Sequence, residues 1–334
     1  MKKTVMVLVL FCAALGMVFA GGGAQKASGD GAQVRIGIAK IVQHVALDAC
    51  EQGIQDALKA RGVNAVFDLQ NANGDMSTAA QIANKFKNDK VSVAVGIATP
   101  IAVALANAIK DTPVVFSAVT DPVSAGLVSS LTRGEGNVAG MSDAIPTADH
   151  IKLFKEIANI STLGYIYTGS EANSLAALTL VEEACKANSI TLVSQSINTS
   201  ADIRQAAQAI VNRVDGIYLT TDNTVFSAVS AIIQVFGDAK KPIFAGDVTG
   251  VQDGGAMIAS GFNYYKAGLA TGNIVADILA GKKPADIPVK FLTEPSESDL
   301  LFDLDAAKRC GITIPRKYLD SANLIFENGK LTTK

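Results

Sequence analysis

The chain has no tryptophan, two histidines and four cysteines in 334 residues. These shortages exclude whole classes of function. A hydrolytic site needs a nucleophile, a base and a group that orients the base. Only His44 and His150 can supply imidazole, and no Gly-x-Ser-x-Gly elbow occurs, so no catalytic residue is expected. No cluster of His, Cys, Asp or Glu has the spacing of a transition-metal site. Neither a Gly-x-Gly-x-x-Gly fingerprint nor a P-loop is found. Gly134-Glu135-Gly136-Asn137 matches half of such a loop and then fails, so it reads as a surface turn. No cofactor and no metal is therefore expected. Charge of one sign is also missing. The formal net charge is −2 and no Lys/Arg-rich run appears, which leaves no electrostatic footprint for nucleic acid.

What is present is a globular composition, 49% hydrophobic and 18% charged, at a length that suggests two domains. Lys2 and Lys3 precede an apolar run over residues 5–19 that ends in Val18-Phe19-Ala20. That is the pattern of a secretory signal peptide cleaved after Ala20. The run falls short of the ~20 residues that span a bilayer. Residues 21–33 then form a Gly/Ala-rich tether, and an exported, periplasmic or otherwise extracytoplasmic protein is expected. A lipid anchor is less favoured, because Cys12 follows bulky Phe11 in mid-run and no cysteine stands at the cleavage point. Cys50, Cys185 and Cys310 remain. They are odd in number and far apart in helix-like segments, so they read as buried small hydrophobes and not as a disulfide framework.

From Val34 onward, apolar runs alternate with amphipathic segments. Strands are expected at residues 34–38, 65–69, 91–97 and 113–116, with helices at 47–61, 75–86 and 99–109 between them. Near residue 145 the series restarts. Strands fall at 163–167, 191–195, 216–219 and 242–245, with helices opening near Ser170 and Asp202 and one running from Asn223 through Phe236. Nearly continuous apolar strands alternating with helices mean parallel sheets covered on both faces. The C-terminal part is less regular: a strand near 256–262, a helix over 264–279 ended by Gly281, then a polar stretch crossing back between the halves. The expected fold class is α/β, with two doubly wound parallel-sheet lobes. Residues 34–143 and 264–291 make the N-terminal lobe, and residues 144–263 and 292–334 the C-terminal lobe.

The two series match in order. Ala98-Thr99-Pro100 occupies the slot of Thr221-Asp222-Asn223, and Asp121 sits near the place of Asp247. Ligands of open α/β sheets bind beyond the carboxyl ends of the strands, so the corners of the two halves are expected to face each other across a cleft. The residues there are small and neutral: Thr99, Ser117, Thr120, Ser142, Ser170, Asn173, Ser174, Thr221 and Asn223. A few acids stand among them: Asp121, Glu171, Asp222 and Asp247. Each corner taken alone is a helix cap. Together they form a set poor in catalytic groups and suited to hydrogen-bonding a small polar ligand. The helix starts can hold a carboxylate without arginine, and an acid opposite can hold an ammonium. Lys40 and His44, after the first strand, can face an anionic or aromatic ligand. Phe116 and Tyr264-Tyr265 can serve as aromatic walls or as core.

The ordered set of motifs resembles the type I periplasmic binding proteins of ABC importers, and most closely their tryptophan/tyrosine-type branch. The residues that carry it include Ile41-Val42-Gln43-His44-Val45-Ala46-Leu47-Asp48, Gln70-Asn71-Ala72-Asn73-Gly74-Asp75, Gly96-Ile97-Ala98-Thr99-Pro100 and Ala118-Val119-Thr120-Asp121-Pro122-Val123. Ser170-Glu171-Ala172-Asn173-Ser174, Thr221-Asp222-Asn223-Thr224 and Phe244-Ala245-Gly246-Asp247 complete it. The resemblance implies two lobes joined by three crossovers, closing by a hinge on a ligand in the cleft. It also implies an amino acid ligand, aromatic for preference, delivered to an ABC permease with its ATPase subunit by a monomeric binding protein. Placed on that template, the ligand carboxylate goes to the Thr99/Pro100 corner and to Ser170–Ser174. The ammonium goes to Asp247 or Asp222, with Glu171 third. The side chain lies near His44, Phe116 and Asn263, and Thr120, Asp121, Ser142, Thr221 and Asn223 complete the lining. A receptor-linked sensor, or a different solute such as a purine or short peptide, remains as an alternative.

Overall fold

The structure is a computed structural model that describes residues 33–334. The signal-peptide reading and nearly all of the tether lie outside these residues. The first run of alternating elements is β1 (Val34–Lys40), α1 (Val45–Ala60), β2 (Ala65–Asn71), α2 (Met76–Asn88), β3 (Val93–Ile97), α3 (Thr99–Ala108), β4 (Val114–Ser117) and a short β5 (Val138–Gly140). These strands form a parallel five-stranded sheet in the order β2-β1-β3-β4-β5. Its central strands β3 and β4 are buried along their whole length, as helices on both faces require.

The second run is α4 (Thr147–Ala158), β6 (Thr162–Thr168), α5 (Ala172–Ala187), β7 (Thr191–Ile197), α6 (Ile203–Ile210), β8 (Gly216–Leu219), α7 (Asn223–Ser227), α8 (Val229–Asp238), β9 (Ile243–Ala245) and β10 (Ile258–Phe262). The helix expected from Asn223 through Phe236 is broken in two. At the break the Ser227 hydroxyl donates to the Thr224 carbonyl, and Ala228 leaves helical geometry with φ −136°.

Helix α9 (Tyr264–Leu279) returns to the first lobe and packs on α1 and β4. It ends at Gly281, whose φ of +103° suits glycine. The chain then comes back through β11 (Ser298–Asp303), α10 (Leu304–Arg309), α11 (Arg316–Ser321), β12 (Leu324–Glu327) and β13 (Lys330–Thr333). The second sheet is therefore eight-stranded, in the order β13-β12-β11-β10-β9-β8-β6-β7. It is mixed, not purely parallel as expected: β11 runs antiparallel to β10, and β13 antiparallel to β12. These outer strands are only partly buried, and β13 is exposed along its whole length, a weaker signal than a buried parallel run.

One core lies in the first lobe, with α9 built into it, and two lie on the opposite faces of the second sheet. Where α9 crosses α1 the backbones touch: a Cβ on Gly268 would meet the Cys50 carbonyl at 2.1 Å. Only glycine permits that approach.

The chain passes between the sheets three times: after β5, between β10 and α9, and before β11. The passes lie side by side. Lys290 N donates to the Gly140 carbonyl at 3.0 Å, and Ser142 N to the Lys290 carbonyl at 2.9 Å. Asn263 N donates to the Glu297 carbonyl at 3.1 Å. This hydrogen-bonded ribbon places the carboxyl ends of both sheets against each other.

Candidate functional site

Four acids cluster where the lobes meet. Asp143, Glu171, Asp222 and Asp247 are between 1% and 6% exposed. Among the described residues none of them enters an ion pair. Burying a carboxylate without a cation is costly, so the partners of each one decide what it can do.

Asp222 is saturated. Its oxygens accept from Thr168 N at 2.7 Å, Thr168 Oγ1 at 2.7 Å, Ser174 Oγ at 2.6 Å and Val225 N at 3.0 Å. It caps α7 and staples the ends of β6, β8 and α5 together. Glu171 accepts from Asn223 Nδ2 at 2.6 Å and Thr224 Oγ1 at 2.7 Å. Burial, and then the Asp222 charge, push its carboxyl above the ordinary range.

Asp143 and Asp247 are different. Asp143 accepts from the Tyr264 hydroxyl at 2.8 Å and from Thr120 Oγ1 at 3.1 Å. Asp247 accepts from Thr249 N at 2.8 Å, with Gly250 N as a second backbone donor. Burial raises Asp143, and raises Asp247 to about 7. The Asp143 charge also raises Asp247, and among the described residues neither acid enters an ion pair. Gly250 must be glycine here, because a Cβ would stand 2.7 Å from the Phe226 ring and 3.3 Å from Asp247 Oδ2.

Both acids line one small cavity of about 10 Å³, together with His44, Leu47, Thr221, Asp222, Asn223, Phe226 and Tyr264. That volume is roughly the room of a single water. The wall is drawn from both lobes and from two of the passes between them. Larger cavities exist. One of about 740 Å³ runs along α9, and one of about 470 Å³ lies on the other side of a Thr120–Thr221 contact. Neither holds an unpaired buried acid, so buried charge, not size, marks the site.

His44 stands at the start of α1 and makes no side-chain capping bond. Its ring lies 6.5 Å from that of Phe226, tilted by 39°. Both ring nitrogens are shielded and without a partner, as are Thr99 Oγ1 and Asn173 Oδ1. Burial lowers the imidazole to about 4, so the ring is neutral at pH 7. Lys40 does not face the site; it pairs with Asp48 at 2.6 Å and Glu51 at 3.2 Å.

The expected residues thus separate. His44, Thr221, Asp222, Asn223 and Asp247 line the acidic cavity. Thr120, Asp121 and Ser142 line the neighbouring one, shared at Thr221. Asp121 is held by Val123 N and Ser124 N in its own turn. The Thr221 corner meets Thr120 at 3.3 Å, at the end of β4, and not the Thr99 corner that precedes α3. Helix α3 itself contacts α5 across the lobes. Thr99 and Pro100 are buried in the first turn of α3. Phe116 is sealed in the first lobe's core, because β4 is covered on both faces. Ser170 is exposed, Ser174 is spent on Asp222 and the Thr168 backbone, and Asn263 caps α9 by accepting from Lys266 N. Tyr265 is exposed and bonds Asp56, whereas Tyr264 belongs to the site.

Asp143, Leu47 and Phe226 were not among the expected site residues. Asp143 follows Ser142 directly, at the carboxyl end of a strand of only three residues. The one signal for it is an acid in a run with no helix to cap.

Comparison with known proteins places these features in context. Residues 35–325 match the family described as ABC transporter substrate binding protein. A tyrosine-binding protein of Clostridioides difficile is 37% identical over 86% of this chain and 85% of its own length. A solved ABC domain from Streptococcus pneumonia in complex with L-Trp is 31% identical, covering 88% of this chain and 100% of that one, with a TM-score of 0.83. The ligand-free, open structure of a Clostridium difficile substrate binding protein with adhesive properties is 35% identical, covering 84% and 96%, with a TM-score of 0.63. The TM-score is higher against the L-Trp complex than against the ligand-free, open structure.

Proposed function

The chain belongs to the ABC transporter substrate binding protein family, and on that premise we propose that it closes its lobes on an aromatic L-amino acid, tyrosine or tryptophan. It is a solute-binding protein and not an enzyme. In this reading it works outside the cytoplasm and hands its ligand to a membrane permease served by an ATPase subunit.

The observation that carries the ligand class is the pair Asp143 and Asp247, buried in one cavity with no protein cation. An α-ammonium supplies the missing charge and hydrogen-bond donors to both. The first turn of α3, with the unpartnered Thr99 hydroxyl, supplies positive helix-end potential and a donor for the carboxylate. Phe226, Leu47 and Tyr264 offer the side chain an apolar wall. The names of the relatives, tyrosine-binding and bound to L-Trp, support the same class.

The test is a thermal-shift screen of the twenty amino acids on protein stripped of ligand by unfolding and refolding. A ligand at 100 times its Kd stabilises by about 2.7 kcal/mol. Tyrosine or tryptophan should give the largest shift, and no shift with any amino acid overturns the proposal.

A further inference from the structure

We infer that Thr221 is a latch: it holds the second lobe to the first through Thr120 and Asp143, and so slows escape of the ligand without binding the ligand itself. The inference rests on the amino-acid reading above and adds to it the group that keeps the closed state closed.

Thr120 and Asp143 form a fixed unit at one edge of the first sheet. Thr120 Oγ1 donates to Asp143 Oδ1 at 3.1 Å. The neighbouring Ser142 hydroxyl donates to the Thr120 carbonyl at 3.1 Å, and Asp143 N donates to the Val119 carbonyl at 3.3 Å. All of these bonds join the corner after β4 to the segment that leaves β5, so none of them needs the second lobe. Thr221 follows β8 in that second lobe. Its hydroxyl reaches Thr120 Oγ1 at 3.3 Å. This contact exists only while the two corners are together.

The chemistry gives the contact a direction. A hydroxyl has one hydrogen to donate and two lone pairs to receive, whereas an ionised carboxylate only accepts. Thr120 spends its hydrogen on Asp143, so Thr221 is the donor across the gap. The chain runs from Thr221 to Thr120 to Asp143. An α-ammonium at Asp143 keeps the carboxylate ionised and thereby keeps that direction. No ion pair among the described residues crosses between the lobes, so no charged contact outweighs this neutral one. At 3.3 Å it is longer than the usual hydroxyl pair at about 2.7–2.8 Å. Its contribution therefore belongs at the lower end of the range for a hydrogen bond.

The experiment is stopped-flow binding of L-tyrosine and L-tryptophan to the wild-type protein, Thr221→Val, Thr221→Ser, Thr120→Val and the double variant Thr120→Val/Thr221→Val. Valine keeps the shape and removes the hydroxyl. Thr221→Val should raise the dissociation rate about two- to fivefold. The association rate should not change, because ligand enters while the lobes are apart and the latch is not yet made. Thr221→Ser keeps the hydroxyl and should keep the wild-type rates. In the double variant the change at Thr221 should add nothing to the effect of Thr120→Val, since its partner is already gone. An unaltered dissociation rate in Thr221→Val overturns the inference. So does slower association in its place, or effects of the two substitutions that add. If the wild type binds neither amino acid, the amino-acid reading fails and takes the latch with it, an outcome distinct from binding at rates that ignore Thr221.

Discussion

The Tyr264 hydroxyl donates to Asp143 at 2.8 Å, tying the first residue of α9 to the segment that leaves β5. Two of the three passes between the lobes are thereby joined at an acid that lines the cavity. Asp143 also accepts from Thr120, and Thr120 touches Thr221 of the other lobe at 3.3 Å. A charge bound at Asp143 would therefore sit beside two of the passes and next to a contact between the lobes.

Tyr264→Phe removes one donor from this buried carboxylate and keeps the ring. A hydrogen bond to a charged group contributes about 1.5–3 kcal/mol, so the anion that receives the ammonium is less favoured. Affinity for the amino acid ligand should fall by about 1–2 kcal/mol in calorimetry. Equal affinities would show that Asp143 takes no part in binding.

Asp247→Ala takes away the second carboxylate. If it pairs a desolvated ammonium, binding should weaken by roughly 2–4 kcal/mol. The same substitution at Asp222 should act mainly on stability, since that side chain is spent on four bonds within its own lobe. Urea unfolding and calorimetry on the two variants separate the roles.

Binding should depend on pH. Asp247 is raised to about 7 by burial, and Asp143 and Glu171 are raised in the same direction. An ammonium favours the ionised acid, so binding expels protons, and through Asp247 affinity should drop below about pH 7 by up to about tenfold per unit. For the free protein the sign is opposite. Asp247, raised above its unfolded value, contributes stability that is complete below about pH 4 and is lost as pH climbs to about 7. His44, lowered to about 4 by burial, contributes stability that is lost as pH falls from about 6.5 toward 4. The two trends oppose each other in a melting curve, so titrations from pH 5 to 8 read the effect more cleanly. A flat affinity profile contradicts it.

Gly268→Leu should strike stability, because its Cβ position lies 2.1 Å from the Cys50 carbonyl. Forcing α1 and α9 apart costs about 1–3 kcal/mol or more. Urea denaturation checks it, and an unaltered midpoint would mean the helices can separate freely.

Much of this architecture is legible in the sequence, and the reason is local. The strand Gly216–Leu219 and the helix Tyr264–Leu279 have the ends that the apolar run and Gly281 announce. The site is only partly legible, because its chemistry depends on who meets whom. Asp222 reads as a ligand group until Thr168 and Ser174 are seen to fill its lone pairs. Phe116 reads as a wall until β4 proves covered on both faces. Asp143 is silent because its partners, Thr120 and Tyr264, arrive from other segments of the fold. Strands β11 to β13 are short and half-polar, which leaves no periodicity to read.

The most direct measurement is a calorimetric titration of ligand-stripped protein with L-tyrosine and L-tryptophan at pH 8, beside Asp247→Ala. Saturable one-to-one binding of at least one of them, weakened in the variant by roughly 2–4 kcal/mol, is the predicted result. No binding of either amino acid, or equal binding by wild type and variant, would contradict an ammonium site built on two buried acids.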